Sequence, residues 1–283
     1  MKIRYTIMLI LLLTINSCSN PSGKGKKIST SIEPIRYFTE QIAGETWQVK
    51  SIIPSNANHG NYEPTPQDLR VISDSQIYFS SGDIGFEDAW TKRFEEIAKD
   101  CYFFDISQGI KKVGGHYHGD VYHGADPHYW LSPREAKIIS KNILNVLCER
   151  DEANKLTYET NYNSLISKIE ETDSIISEIL KPVAGHSFMI YHPALTYFAQ
   201  YYNLKQIAIE HEGKEPSAAH IAELIDTAKK ENIGIILYQE QYTGNSVKHI
   251  ANEVNARQIC FDPMNYDWHN NLIHIAQTLR QNK

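Results

Sequence analysis

Short apolar runs alternate with segments of helical period twice over in this chain, once on each side of a long uninterrupted helical stretch. In the first half the apolar runs lie at 28–32, 47–54, 77–80 and 101–106, and residues 34–43, 66–73 and 86–98 carry apolar side chains at helical spacing. In the second half, runs at 187–191, 206–209, 233–238 and 257–261 alternate with helical segments 194–202, 217–231 and 243–255, and 270–281 closes the chain. Consecutive parallel strands need a crossover, so alternation of this kind builds parallel sheets with helices on both faces. The expected fold is α/β, with two lobes, each a four-stranded mainly parallel sheet flanked by helices.

The segment between the halves has a different texture. Ser132-Pro133-Arg134-Glu135 reads as a helix start, with Ser at the N-cap, Pro at the first helical position and a carboxylate in the first turn. Helical pattern continues to about Cys148. A second run, 153–180, contains no Gly or Pro and carries Tyr158, Tyr162, Leu165, Ile169, Ile176 and Leu180 at three-, four- and seven-residue steps, with Pro182 and Gly185 as stops. Some 28 helical residues span roughly 40 Å, enough to run along both lobes. A flexible hinge needs Gly or several short crossovers, and neither stands here. The division that follows is an N-terminal lobe at 28–151, a rigid linking helix at 152–181, and a C-terminal lobe at 182–283 with a cleft between the lobes.

The chain opens MKIRYTIMLILLLTINSC, in which Lys2 and Arg4 precede an unbroken apolar run from residue 7 to 13. That run falls short of the roughly twenty apolar residues that span a bilayer, and it has the basic and apolar regions of an export signal, residues 1–17. Thr14-Ile15-Asn16-Ser17-Cys18 resembles a bacterial lipobox, making Cys18 the lipidated first residue of the mature chain and 18–27 a polar tether. Cleavage there removes two basic residues and no acid, moving the formal charge from −6 to −8. An acidic chain with scattered Lys and Arg excludes a nucleic-acid partner. Cys101, Cys148 and Cys260 have no CxxC spacing, and their apolar contexts predict buried, inert thiols rather than a disulfide framework.

Ligands for one metal ion can come from distant points if each sits at the C-terminal end of a strand, facing the crevice of an open α/β sheet. Four side chains meet that condition: His59 after the strand ending at Pro54, His128 in DPHYWLSP, His192 ending SFMIYHP, and Asp262 ending RQICFDP. Two come from each half, as a cleft between lobes requires. Three imidazoles and one carboxylate make a first-row divalent site with zinc as its natural occupant. Asp267 in NYDWHN is the rival for the role of Asp262, and Glu240 is placed either beside a ligand or as a cap or lobe-interface carboxylate.

These motifs resemble the cluster A-I solute-binding proteins of zinc and manganese ABC transporters. The matching stretches are YEPTPQDL, DPHYWLSP, YHPALTYFAQYYNL around His192, the EGKEPSAAHIAELI run, and Tyr238-Gln239-Glu240, together covering residues from about 27 to 279. The resemblance implies two α/β lobes joined by one rigid helix, and its ligands fall on His59, His128, His192 and Asp262. One departure stands out: Gly60 and Asn61 separate His59 from Tyr62, where the family usually has a single residue. Members with Glu at the third ligand position tend to take manganese, so His192 points to Zn²⁺ as cargo ahead of Mn²⁺.

GGHYHGDVYHGADPHYW holds four of the twelve histidines. Only His128 is assigned to the buried site. His116, His118 and His123, with Asp120, form a mobile segment that either captures zinc weakly, as the His/Asp-rich insertion of zinc-binding relatives implies, or is a solvated loop. The expected protein is exported, periplasmic or cell-surface, monomeric and anchored in a membrane through Cys18. It is not a catalyst; it captures Zn²⁺ and hands it to an inner-membrane ABC permease. The alternative is an exported zinc-dependent hydrolase with Glu240 or Glu63 as general base. That reading requires a coordination position holding water, so the number of protein ligands separates the two.

Overall fold

The computed structural model describes residues 25–118, 121–210, 214–241 and 245–281; the apolar leader, Cys18, most of the tether, Asp120 and His211 lie outside the described residues. The first lobe runs β1 (Lys27–Ile32), α1 (Glu33–Ala43), β2 (Gln48–Ile53), α2 (Pro66–Ser73), β3 (Ile77–Ser80), α3 (Gly85–Ile97) and β4 (Tyr102–Asp105). A hairpin of β5 (Gly114–His118) and β6 (Val121–Ala125) follows, then α4 (Pro133–Arg150) and α5 (Lys155–Leu180). The second lobe runs β7 (Ser187–Ile190), α6 (Thr196–Tyr201), β8 (Lys205–Ala208), α7 (Ala218–Lys230), β9 (Ile235–Tyr238), α8 (Asn245–Val254), β10 (Arg257–Cys260) and α9 (Trp268–Arg280).

Both four-stranded sheets are parallel, ordered β2-β1-β3-β4 and β10-β9-β7-β8. Each therefore places its first strand between its second and third. In such sheets the crevice for ligands opens beyond the C-terminal strand ends, where the order reverses. α2 illustrates how local chemistry sets a boundary beside that crevice. Thr65 accepts from the backbone of Asp68 while the Asp68 carboxylate accepts from the backbone of Thr65, a reciprocal cap with Pro66 opening the helix.

α5 is 26 residues long, about 39 Å at 1.5 Å per residue. Tyr158, Leu165, Ile169, Thr172, Ile176 and Leu180 are its buried positions. Tyr162, expected in that stripe, is only half-buried; Thr172 sits in the stripe instead, its hydroxyl donating to the Lys168 carbonyl at 2.7 Å and meeting His269 Nδ1 at 2.5 Å. One end of α5 grips the first lobe, where Trp47 Nε1 donates to the Tyr158 hydroxyl at 2.9 Å. The other grips the second lobe, where Asp173 accepts from Tyr201 and Tyr202 at 2.8 and 2.9 Å. A single hydrophobic cluster runs from Ile28 and Phe79 through Leu165 and Ile169 to Phe188, Trp268 and Leu272. The lobes thus share a core along α5, and Ile169→Ala there costs about 2–5 kcal/mol.

Three sequence expectations need correction. The histidine-rich segment is not a plain loop but an antiparallel hairpin whose register sets His116 across from His123. Ser132 stands at the N-cap of α4, yet its hydroxyl is buried without a hydrogen-bond partner and caps nothing. The three thiols are free, but Cys260 is exposed and the other two are half-buried; burial, joined at Cys260 by the charges of Glu240 and Asp262, raises the thiol pKa, which keeps it protonated. Among the described residues no helix is long and apolar enough to cross a membrane.

Candidate metal centre

The loop after β2 delivers the first imidazole. It crosses from Pro54 in a tight run of turns: Ala57 N donates to the Pro54 carbonyl, and Gly60 N donates to the Asn58 side chain at 2.8 Å. The extra residue between His59 and Tyr62 is absorbed in this turn, which closes with Asn61 N on the Asn58 carbonyl at 3.4 Å. Gly60 also lies against Gly85 at the start of α3, so close that a Cβ on Gly85 would meet the Gly60 carbonyl at 2.7 Å. His59 ends up buried, at 8% exposure.

His128 opens a short 3-10 turn, His128–Leu131, in which every residue is buried. Asp126, two residues earlier, accepts from both the backbone N–H and ring Nδ1 of His128. In the neutral ring that bond places the proton on Nδ1 and leaves Nε2 free toward the other imidazoles. His192 follows β7, and its Nδ1 meets Glu210 Oε1, just beyond β8, at 2.8 Å. The same logic presents Nε2 of His192.

The three rings converge. His59, His128 and His192 form a group whose ligand nitrogens all lie within 4.8 Å of one another. Ring centroids are 5.0 Å apart for His59 and His128, 5.1 Å for His128 and His192, and 6.1 Å for His59 and His192. The Nε2 atoms of His59 and His128 stand 3.0 Å apart; tetrahedral zinc with Zn–N near 2.05 Å sets such nitrogens about 3.3 Å apart. Burial lowers the pKa of His59 well below its ordinary value, and the neighbouring His128 and His192 push the same way. Burial also lowers His128, partly offset by Asp126. Neutral imidazoles are what a metal ion requires.

Asp262 is not part of this group. It follows β10, half-buried; its Oδ1 accepts from Met264 N at 2.8 Å, and burial, with Glu33 and Glu240 adding to it, raises its pKa. It lines a cavity of about 290 Å³ with Ser55, Asn56, Glu240, Gln241, Cys260 and Phe261. Asp267, its rival, is instead the N-cap of α9, accepting from Asn270 N. Glu240 is exposed beside the same cavity, and Glu63 is exposed in the loop before α2. Neither joins the imidazole group. The carboxylates that touch the converging imidazoles are Asp126 and Glu210, which strand-end reasoning passed over; Asp126 lies inside DPHYWLSP, and Glu210 sits at a strand end as the candidate ligands do.

Across the cleft, Trp130 Nε1 donates to the Pro263 carbonyl at 2.8 Å and Trp268 Nε1 donates to the Trp130 carbonyl at 2.6 Å. Tyr197 of α6 accepts from Val113 N and donates to the Asp126 carbonyl, both at 3.1 Å, clamping the base of the hairpin next to the site.

Comparison with known proteins agrees with this geometry. The model of the family described as zinc-uptake complex component A, periplasmic (ZnuA), matches residues 28–282. The high-affinity zinc uptake system protein ZnuA of Bacillus subtilis is 30% identical over 266 residues, covering 87% of this chain and 83% of the relative. The zinc-binding lipoprotein AdcA of Streptococcus pneumoniae is 28% identical over 278 residues, which are 93% of this chain and 55% of AdcA. A crystal structure of ZnuA superposes with a TM-score of 0.85 at 35% identity, over 91% of this chain and 99% of that one. Two parallel-sheet lobes on one long helix, three imidazoles converging between them and a family match along almost the whole chain lead to one conclusion: the chain belongs to the ZnuA family of metal-binding, solute-binding proteins.

Proposed function

We propose that this protein captures Zn²⁺ outside the cytoplasm and delivers it to an ABC permease, without catalysing a reaction. The observation that carries the proposal is the convergence of His59, His128 and His192, each from a separate strand-end loop and two of them with Nδ1 held by a carboxylate. A donor set dominated by three imidazoles suits zinc better than manganese, which favours carboxylate oxygen. Asp262 completes the coordination when it swings in from the adjoining cavity. A relative named for zinc uptake and one named as zinc-binding support zinc as cargo, and a relative named as a metal ABC transporter substrate-binding lipoprotein supports a permease as partner.

Cys18 as a lipid anchor, export behind residues 1–17, a tether at 18–27, lobes at 28–151 and 182–283 joined by 152–181, and a monomeric state belong to the same proposal. The 116–123 segment is assigned an accessory role, in which His116, His118, Asp120 and His123 capture the cation weakly before it reaches the cleft. The hydrolase reading is set aside, because neither of its general-base candidates, Glu240 and Glu63, joins the imidazole group among the described residues. The test is metal content and competition titration of protein purified without added metal or chelator. One tightly held zinc per chain is the expected result; manganese in its place, or no metal, refutes zinc capture.

A further inference from the structure

The three imidazoles are not held alike. His128 is bound to Asp126 and His192 to Glu210, whereas Nδ1 of His59 is buried with no hydrogen-bond partner. His59 therefore has no carboxylate fixing its ring, which meets the site through Nε2, 3.0 Å from His128 Nε2. Gln241, just after β9, ties the His59 loop across the cleft: it donates from Nε2 to the carbonyls of Ser55 at 3.2 Å and Ala57 at 3.4 Å, across 186 and 184 residues of chain.

We propose that Gln241 is a latch across the cleft mouth whose bonds to the Ser55 and Ala57 carbonyls hold the His59 loop shut and set how fast the metal ion leaves. The latch rests on the reading of the imidazole group as the cargo site. The two sides of the cleft differ in the way a latch requires. On the spine side the lobes are joined by short, buried bonds from Trp130 and Trp268. There water is excluded and a broken bond leaves a desolvated orphan. On the mouth side the Gln241 bonds are longer, only part-buried, and border the cavity lined by Asn56, Glu240 and Asp262. Water replaces them at small cost, so this side opens first and the spine side acts as the fixed edge. Opening withdraws His59, the imidazole without a supporting carboxylate, while Asp126 and Glu210 keep the other two in place. The ion then remains on the two other imidazoles and Asp262.

Gln241→Met keeps the length of the side chain without a donor, and Gln241→Asn keeps the amide but falls one methylene short. Hydrogen exchange of the 55–61 segment in the metal-stripped full chain reads the latch directly, and competition stopped-flow with a zinc chelator reads release. Both variants are expected to speed exchange of 55–61 and zinc release by roughly ten-fold, as for losing one or two neutral hydrogen bonds. The melting temperature and the X-ray absorption signature of bound zinc stay as in wild type. Unchanged exchange at 55–61 in both variants overturns the latch, and so does faster exchange spread over the whole second lobe. Faster exchange at 55–61 with zinc leaving at the wild-type rate overturns its role in release. Wild type that holds no zinc refutes zinc capture instead, and the exchange comparison still decides whether the latch exists.

Discussion

One carboxylate oxygen of Asp126 holds His128 at two points, accepting from its backbone N–H at 2.8 Å and from ring Nδ1 at 2.9 Å. The pairing sets both where the backbone enters the 3-10 turn and which nitrogen faces the other imidazoles. Burial would push the Asp126 carboxyl up, but His128 outweighs it and the pKa is lowered, so the acceptor stays charged. Asp126→Ala is expected to weaken zinc binding about 10- to 100-fold while leaving the coordination number unchanged. Competition titration with absorption spectroscopy of the bound metal checks this; wild-type affinity would show that the turn alone orients the ring.

Loss of a ligand should cost more than loss of its support. His128→Ala and His192→Ala each remove one nitrogen from the group, and affinity is expected to fall by well over 100-fold, beyond the reach of a supporting change. Asp262→Asn, outside the group, should weaken binding less than either. His192→Glu adds a carboxylate oxygen and shifts preference toward manganese. Near-normal zinc affinity in either alanine variant contradicts the site.

Gly85→Ala tests the seat of the His59 loop. The new Cβ meets the Gly60 carbonyl at 2.7 Å, and the obstacle is backbone. The loop must shift, at a cost of about 1–3 kcal/mol for overpacking, and zinc binding should weaken although no ligand is touched. A crystal structure showing the loop in place, with normal affinity, rules out this close approach as a constraint.

Glu87 supplies a pH dependence remote from the imidazoles. It is fully buried and accepts from Ser81 N and Gly82 N, both at 2.6 Å; burial still dominates and pushes its carboxyl up to about 7 from 4.5. A raised carboxyl binds its proton more tightly in the folded state. Its contribution is therefore fully present below about pH 4.5 and is lost as pH rises through about 7, a change of roughly 3 kcal/mol. Glu87→Gln stays neutral and removes that fall. Denaturant unfolding of both proteins from pH 4.5 to 8 measures the difference, which should shift by roughly 3 kcal/mol in favour of Glu87→Gln as pH rises; a constant difference would mean that Glu87 does not titrate there.

Deleting residues 115–122 removes most of the hairpin. One tight zinc per chain is expected to remain and weaker binding to disappear. Calorimetry that shows loss of the tight zinc would place hairpin histidines among the ligands.

The α/β alternation, the linking helix and the three histidines were readable from the chain because each is a local signal. A strand shows as a short apolar run, α5 as 26 residues of helical period, and a ligand as a polar residue just past a strand end. The hairpin escaped that reading because its Gly- and His-rich strands have no apolar alternation; it exists through cross-strand register, His116 to His123. Thr172 in the α5 stripe was hidden for a related reason: its burial depends on His269, 97 residues away. Which carboxylate touches which imidazole was decided by strand order. Placing β7 beside β8 brings Glu210 to His192 and leaves Asp262, after the edge strand β10, in the cavity to one side. Gln241 on the Ser55 carbonyl, 186 residues apart, exists only once both lobes are packed against α5. Periodicity and capping act within a few residues and are written along the chain, whereas a hydrogen bond across a cleft depends on where two loops meet in space.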